Sequence, residues 1–246
     1  MKKLAIASAL LASLAAVNVA HAYQTEVNAG LSVVDVDGGD QTTAVALGGT
    51  YYFAPVDVKD FPLAEAAFMN RASNVEAFAG YGKDDDVKVT TFGAGAEYYV
   101  PNSDFYLGAT VERAEVKFAG LKESDNLFSV EAGLLPMANL LVAVGVAGNS
   151  DDTDPTLRAK YIYKLGANDV NLEANASFGD LDQFGIGADY YIDRTLSVGA
   201  AYNDDGNDDS FGIRARKFFT QEVSVQASVE FGSDADVFGV SGTYRF

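Results

Sequence analysis

An alternation of apolar and polar residues with a period of two is the feature that most constrains the fold of this chain. It is strict from Val223 to Phe231, where Val, Ala and Phe alternate with Ser, Gln and Glu. The same alternation recurs from Val170 to Phe178 and from Gln183 to Ile192. Because successive side chains of a β-strand point to opposite faces, each segment predicts a strand with one apolar face.

The alternating segments also recur at a fixed distance. Four strand ends follow one another at intervals of 27 residues, at Leu165, Ile192, Phe219 and Phe246. Each interval has room for two strands of about ten residues and two short connections, which makes one antiparallel hairpin. A tilted strand of about 9–11 residues is also long enough to cross a bilayer. The repeat therefore predicts consecutive membrane-spanning hairpins.

The connections between strands fall into two alternating classes. One class follows aromatic or apolar strand ends and is short, as at residues 101–104 and 136–139. The other class is rich in Asp, as at residues 35–40, 83–86 and 204–209. Tyr and Phe favour the headgroup level of a membrane, and the two rims of a membrane barrel meet different solvents. The aromatic ends are therefore predicted to face the periplasm and the acidic connections the outside.

A transmembrane antiparallel up-and-down β-barrel explains this two-sided distribution. Closure also removes the exposed strand edges that such segments would otherwise present. We predict an all-β barrel of about 14 strands, or 12 if a weakly alternating hairpin at residues 28–34 or 75–81 lies outside the wall. The alternative is a secreted β-solenoid or sandwich, which has no physical reason to separate acidic turns from aromatic strand ends.

The first residues are predicted to form a cleaved signal peptide, residues 1–22. Lys2 and Lys3 precede an apolar run at residues 4–19, and small residues follow at Ala20 and Ala22. The run is shorter than the roughly 20 residues of a membrane-spanning helix. The predicted barrel domain is then residues 23–246.

Neither an enzyme nor a bound cofactor or metal is predicted. The single histidine, His21, lies in the predicted signal peptide, and the chain has no cysteine. Histidine-based catalysis and thiolate metal sites are thereby excluded from the barrel domain. The Asp-rich connections lack the spacing of calcium-binding loops, so we expect solvated acid there, with weak divalent bridging as the alternative.

Charged residues at strand positions are predicted to face a polar lumen, because they are costly on the lipid face. The predicted pore-lining residues are Arg158, Lys160, Lys164, Arg214, Arg216, Arg245, Glu97, Glu112, Glu131, Glu173, Asp189 and Glu230. The hypothesis is that four of the cations form a basic wall facing Glu97, Glu112 and Glu131. These cations are Arg158, Lys160, Arg214 and Arg216. Fourteen strands leave room for water beyond the side chains. Salt bridges that close the lumen are the alternative.

One long periplasmic connection is predicted at residues 54–73, with a short helix over residues 62–69. It is interpreted as a structural cap, with a plug or a peptidoglycan contact as the alternatives. The outer loops are too short to fold inward, as at residues 118–126, and a monomer is the default prediction with an oligomer as the alternative.

Two segments resemble known outer-membrane proteins. The last strand, residues 240–246, with Tyr244 and terminal Phe246, resembles the signal that such barrels present to the barrel assembly machinery. Residues 51–56 and 61–68 resemble a general porin-like family of Gram-negative outer membranes. The resemblance implies passive diffusion of small hydrophilic solutes or ions through the cell outer membrane, among lipid and lipopolysaccharide. A structural or adhesive barrel without an open pore is the alternative, and the acidic rim disfavours nucleic acid.

Overall fold

The protein is a closed barrel of 14 antiparallel strands in the computed structural model, which describes residues 22–36, 41–83, 87–118, 121–179, 182–233 and 235–246. Neighbouring strands in sequence pair with each other, and the last strand pairs with the first. The strands are β1 (Ala22–Val36), β2 (Gln41–Asp57), β3 (Asn74–Lys83), β4 (Val87–Tyr99), β5 (Phe105–Phe118), β6 (Leu121–Met137), β7 (Leu140–Gly148), β8 (Thr153–Leu165), β9 (Asn168–Ser177), β10 (Gln183–Asp193), β11 (Leu196–Asp204), β12 (Asp209–Phe218), β13 (Val223–Gly232) and β14 (Ala235–Arg245).

The predicted architecture of 14 strands is confirmed. The two weakly alternating segments belong to β1 and β3, so the alternative of 12 strands is wrong. The predicted signal peptide lies outside the described residues except for Ala22, which begins β1. Parts of the Asp-rich connections, residues 37–40, 84–86, 119–120, 180–181 and 234, also lie outside them.

The connection between β2 and β3 carries the helical turns of the described chain. Because β2 continues to Asp57, this connection comprises residues 58–73, which we call the periplasmic segment after its predicted side of the membrane. It contains a 3-10 helix (Leu63–Glu65) and the one-turn helix α1 (Ala66–Met69). No helix among the described residues is long and apolar enough to span a bilayer.

The outward face of the wall is an apolar band. Leu47, Val111 and Val144 each expose at least 60% of their surface on this face. Across the closing strands, Val240 of β14 lies beside Leu31 of β1. An apolar surface that encircles the barrel is costly in water and favourable in lipid, so this band faces the bilayer.

The β5–β6 hairpin differs from its prediction. Residues 118–126 are expected to form a loop, but β5 and β6 pair from Phe118–Leu121 onward. Lys117 and Lys122 both form ion pairs with Glu115, at 3.0 and 2.6 Å. Polar residues can continue the backbone hydrogen bonds between two strands beyond the bilayer. The alternation of apolar residues ends at the bilayer, so it does not predict this extension.

Short turns join the strands at the rim opposite the Asp-rich connections. Asn102, Asn139 and Gly166 have positive φ angles of 56°, 60° and 67° in three of these turns. Asn and Gly tolerate this left-handed conformation better than other residues, which allows the tight reversals.

Adjacent residues of β14 test which face meets the lipid. Changing Val240→Lys places a charge on the outward face and is expected to lower the free energy of unfolding by about 2–4 kcal/mol, the cost of a cation near the bilayer midplane. Changing Ser241→Lys places the same charge on the inward face and is expected to cost far less. Urea unfolding of both variants in lipid vesicles measures the difference, and equal costs would contradict this assignment of faces.

Candidate channel lumen

The inward face of the barrel carries most of the charged strand residues. The twelve predicted residues all alternate with the apolar outward band, as Arg158 does with Leu157 and Glu230 with Phe231. Nine of the strands from β4 to β14 position them, because the period of two turns every second side chain inward.

Arg158 organises the first group of charges. Its guanidinium donates to Glu131 at 2.5 and 3.2 Å and lies 3.5 Å from Glu97. The hydroxyl of Tyr106 donates to Glu97 at 2.7 Å and lies within hydrogen-bonding distance of Glu131 and Arg158. Gly108 separates the two glutamates, and a Cβ there would lie 2.8 Å from an oxygen of Glu131. The glycine therefore leaves the space in which the network assembles.

Asp189 organises the second group. Arg214 donates to both of its carboxylate oxygens, at 2.8 and 2.6 Å. The two residues flank Gly199 on the intervening strand, and a Cβ at Gly199 would lie 2.1 Å from the Asp189 carboxylate. This bidentate pair spans two strand spacings, so it depends on the absence of a side chain between its members.

The other predicted residues have separate partners. Lys160 bonds to Glu173 at 2.7 Å, Lys164 to Asp169 at 3.3 Å, Arg216 to Gln226 at 2.9 Å, Arg245 to Glu26 at 2.6 Å, and Ser210 to Glu230 at 2.6 Å. Glu112 has no ion pair with a described residue.

The charges are arranged differently from the hypothesis of two opposed walls. Arg158 and Glu131 are neighbours along the wall, since one strand separates β6 from β8, and the same holds for Asp189 and Arg214. The cations of β8 lie between the acids of β6 and β9, and Arg214 on β12 follows Asp189 on β10. Charges in a poorly solvated lumen are more favourable with close partners of opposite sign, which explains these positions.

Many inward residues on the remaining part of the wall are small and uncharged. A cavity of about 420 Å³ adjoins inward positions of β1–β4, β13 and β14 that include Gly30, Ser32, Ala44, Gly80 and Ser241. Short side chains leave space, so the free volume of the lumen lies against this part of the wall.

The periplasmic segment lies inside the barrel wall. The hydroxyl of Tyr191 donates to Glu65 at 2.5 Å, and the Lys160 ammonium lies 2.9 Å from the same carboxylate. Both partners are inward residues of the wall, on β10 and β8. Lys160 also lies over the ring of Phe68, with its ammonium 5.2 Å from the centroid. These contacts hold α1 across one end of the lumen, the end opposite the Asp-rich connections.

Apolar packing anchors the start of the segment. Its buried cluster comprises Tyr23, Tyr52, Val56, Val58, Leu63, Ala66 and Phe218. Arg245, whose side chain is 4% exposed, donates to the carbonyl of Leu63 at 2.7 Å and pairs with Glu26. The segment is therefore tied to the two closing strands.

Contacts with two turns complete the attachment. The Arg194 guanidinium donates to the carbonyls of Val58 and Phe61, and the N–H of Leu63 donates to the carbonyl of Arg194 at 2.8 Å. At the other end, Arg71 pairs with Asp104 at 3.1 Å. A plug was one of the predicted alternatives for this segment, but these contacts were not predicted. The single acid Glu65 within the apolar run of residues 62–69 is the signal that could have indicated a buried partner.

In the acidic turn after β11, a side-chain carboxylate accepts hydrogen bonds from the backbone of the same turn. The N–H groups of Asp208 and Asn207 donate to the Asp205 carboxylate at 2.9 and 3.1 Å and lower the pKa of this group. Within the described ranges, no group of three or more acidic or histidine side chains is arranged to hold a metal ion.

The closed wall, apolar outer band and polar lumen define an integral outer-membrane β-barrel. The sequence matches the family model "Putative general bacterial porin" over residues 1–158 and 137–245. The chain therefore belongs to this porin family, and it forms an outer-membrane channel through which small hydrophilic solutes diffuse.

Solved structures agree with this assignment. The crystal structure of the Acinetobacter baumannii outer membrane protein Omp33 is similar with a TM-score of 0.74 and 28% identity, covering 92% of this chain and 99% of Omp33. A KdgM porin in complex with disordered oligogalacturonate shares the fold with a TM-score of 0.50 at 11% identity, covering 90% of this chain and 99% of its own. No curated protein sequence matches the chain.

Glu65 provides a test of how the periplasmic segment is held. Changing Glu65→Gln removes the charge that pairs with Lys160, and it leaves that ammonium with Glu173 alone. Hydrogen–deuterium exchange followed by mass spectrometry is expected to show faster exchange across residues 58–73. The control is Lys59→Gln, which removes an exposed ammonium paired with Asp57 and is expected to have little effect. Equal exchange in both variants would contradict the attachment.

Proposed function

We propose that the predicted pore-lining residues form a narrow polar path whose width is set at the periplasmic end by the periplasmic segment. The observation that carries the proposal is the contact of Glu65 with Lys160 and Tyr191, which places helical turns against the inward face. Solutes then pass between α1 and the part of the wall that carries small residues. Such a path admits small hydrophilic solutes and excludes large ones.

We also propose a preference for cations. Glu76 and Glu112 lie on the inward face without an ion pair to a described residue, while Arg158, Lys160 and Arg214 are each paired with carboxylates. The Asp-rich outer rim adds negative charge near the outer mouth. Uncompensated acidic side chains raise the local concentration of cations along a pore.

A barrel without an open pore is the second candidate. The alternating ion pairs and the packed periplasmic segment are the observations that favour it, since both occupy lumen volume. In this case the barrel would act as a structural or adhesive element of the outer membrane. The two candidates differ in ion conductance, which a bilayer recording measures directly.

Maturation and assembly complete the proposal. We infer that the signal peptide is removed before Tyr23, so that the mature β1 begins one residue later than the strand described above. Tyr244 and Phe246, whose rings are 5.7 Å apart, would present the C-terminal strand to the barrel assembly machinery. The mature protein is proposed to be a monomer that is not an enzyme.

Planar-bilayer recordings of the purified protein test the channel. We expect discrete conductance steps in KCl, and a reversal potential in a KCl gradient that indicates cation preference. Replacing residues 63–69 by a Gly/Ser segment of equal length is expected to increase the step size, because it removes the side chains that hold α1 across the lumen. The control is Lys122→Gln on the outer extension of β6.

The outcomes separate the candidates. An absence of steps in both the wild type and the replacement variant would rule out the pore and favour the structural barrel. Steps of equal size in both would contradict the role of the periplasmic segment.

A further inference from the structure

A second cavity lies between the periplasmic segment and the inner wall. It has a volume of about 280 Å³ and is lined by Glu65 on the side of the segment and by polar side chains of β8–β13 on the other. A water molecule takes up about 30 Å³ of liquid volume, so the cavity has room for a small organic solute.

One wall of this cavity contains an unsatisfied buried acceptor. Asn171 is 1% exposed, and its amide nitrogen donates to Glu173 at 2.8 Å and to Asp189 at 3.4 Å. Carboxylates only accept hydrogen bonds, so these two contacts fix the orientation of the amide. The remaining atom, the side-chain oxygen Oδ1, is buried and has no hydrogen-bond partner. A buried acceptor without a partner is unfavourable, and a ligand that donates a hydrogen bond would satisfy it.

Arg216 offers positively charged hydrogen-bond donors in the same cavity. Its Nε donates to Gln226 at 2.9 Å, and no carboxylate among the described residues forms an ion pair with it. The other two cations that line the cavity, Lys160 and Arg214, are bound to carboxylates. The planar guanidinium therefore has free donors of the kind that bind a carboxylate in bidentate geometry.

The charges that line the cavity are balanced. Lys160, Arg214 and Arg216 are matched by the carboxylates Glu65, Glu173 and Asp189. A solute with a net charge would leave one charge uncompensated in a poorly solvated space, which is costly. A zwitterion keeps the balance while offering a carboxylate and a strong donor.

We propose that this cavity binds small α-amino acids in their zwitterionic form. The carboxylate of the solute pairs with Arg216, and its ammonium donates to the Asn171 Oδ1 atom beside the carboxylates of Glu173 and Asp189. The proposal rests on the channel function, because the lumen is the route by which a solute reaches the cavity. The cavity then acts as a solute-binding site along the path.

Saturation-transfer-difference NMR on the full-length mature protein in detergent micelles tests the site without depending on conduction. The probes are L-alanine, lactate, propanoate and isopropylammonium. They share a three-carbon skeleton, and each of the other three differs from L-alanine in one functional group. We expect L-alanine to bind at least about tenfold more tightly than propanoate, the ratio expected for one charged hydrogen bond. Lactate should lie between them, and isopropylammonium should bind weakly.

Two variants assign the contacts. Changing Arg216→Gln is expected to weaken the binding of L-alanine at least about tenfold, and Arg216→Lys is expected to restore part of the affinity. Changing Asn171→Ala is expected to reduce the affinity for L-alanine to that for propanoate and to leave the affinity for propanoate unchanged. The matched control is Arg113→Gln, which removes an exposed guanidinium from the outward face of β5 and leaves binding unchanged. Heat-dependent gel migration confirms that each variant is folded.

The binding site can be disproved without disproving the channel. Conductance steps together with equal binding of L-alanine and propanoate, or with no binding of either, would overturn the site and leave the channel intact. Binding of L-alanine that depends on Arg216 but occurs without conductance would support the site and contradict the open pore.

Discussion

The constraint on which the rest of this structure depends is that backbone polar groups in a bilayer must find partners within the protein. The pairing of β1 with β14 closes the ladder, so no strand edge remains in the described wall. Closure in turn divides each strand into an outward and an inward face. The apolar residues then meet lipid, and the charged residues are confined to a lumen in which a partner of opposite charge is favourable. The ion pairs of the inner wall follow from this confinement.

Small residues have two roles in the lumen. Gly108 and Gly199 lie between charged residues of adjacent strands and make room for side chains that pair across them. On β13, β14 and β1–β3, small inward residues instead leave open volume. The periplasmic segment packs against the charged part of the wall, where Glu65 finds Lys160 and Tyr191. Most of the ion pairs and most of the free space therefore lie on different parts of the wall, with the Arg245–Glu26 pair of the closing strands as an exception. The proposed path follows from this arrangement.

The sequence was sufficient for the architecture and for the face on which each charged residue lies. A period of two assigns Arg158 or Asp189 to the inward face without any knowledge of neighbours, and the 27-residue interval gives the hairpins. The partners could not be predicted, because they depend on register and on glycines of intervening strands, which alternation does not encode. The hypothesis of opposed walls failed for this reason. The contacts of Glu65 were not predicted because its partners, Lys160 and Tyr191, lie more than 90 residues away in the sequence.

The most direct test of this account is a cross-link inside the lumen. The chain has no cysteine, so a double variant with Glu65→Cys and Tyr191→Cys contains the only thiols. The two side chains meet at their tips, Tyr191 hydroxyl against Glu65 carboxylate, so the shorter cysteine side chains would leave a gap that a short bifunctional thiol reagent can span. We predict that such a reagent joins the two cysteines within one chain in isolated outer membranes, as detected by peptide mapping. Cysteines that each react singly but are not joined, in a correctly folded barrel, would contradict the placement of the periplasmic segment inside the wall, and with it the proposed path and binding site.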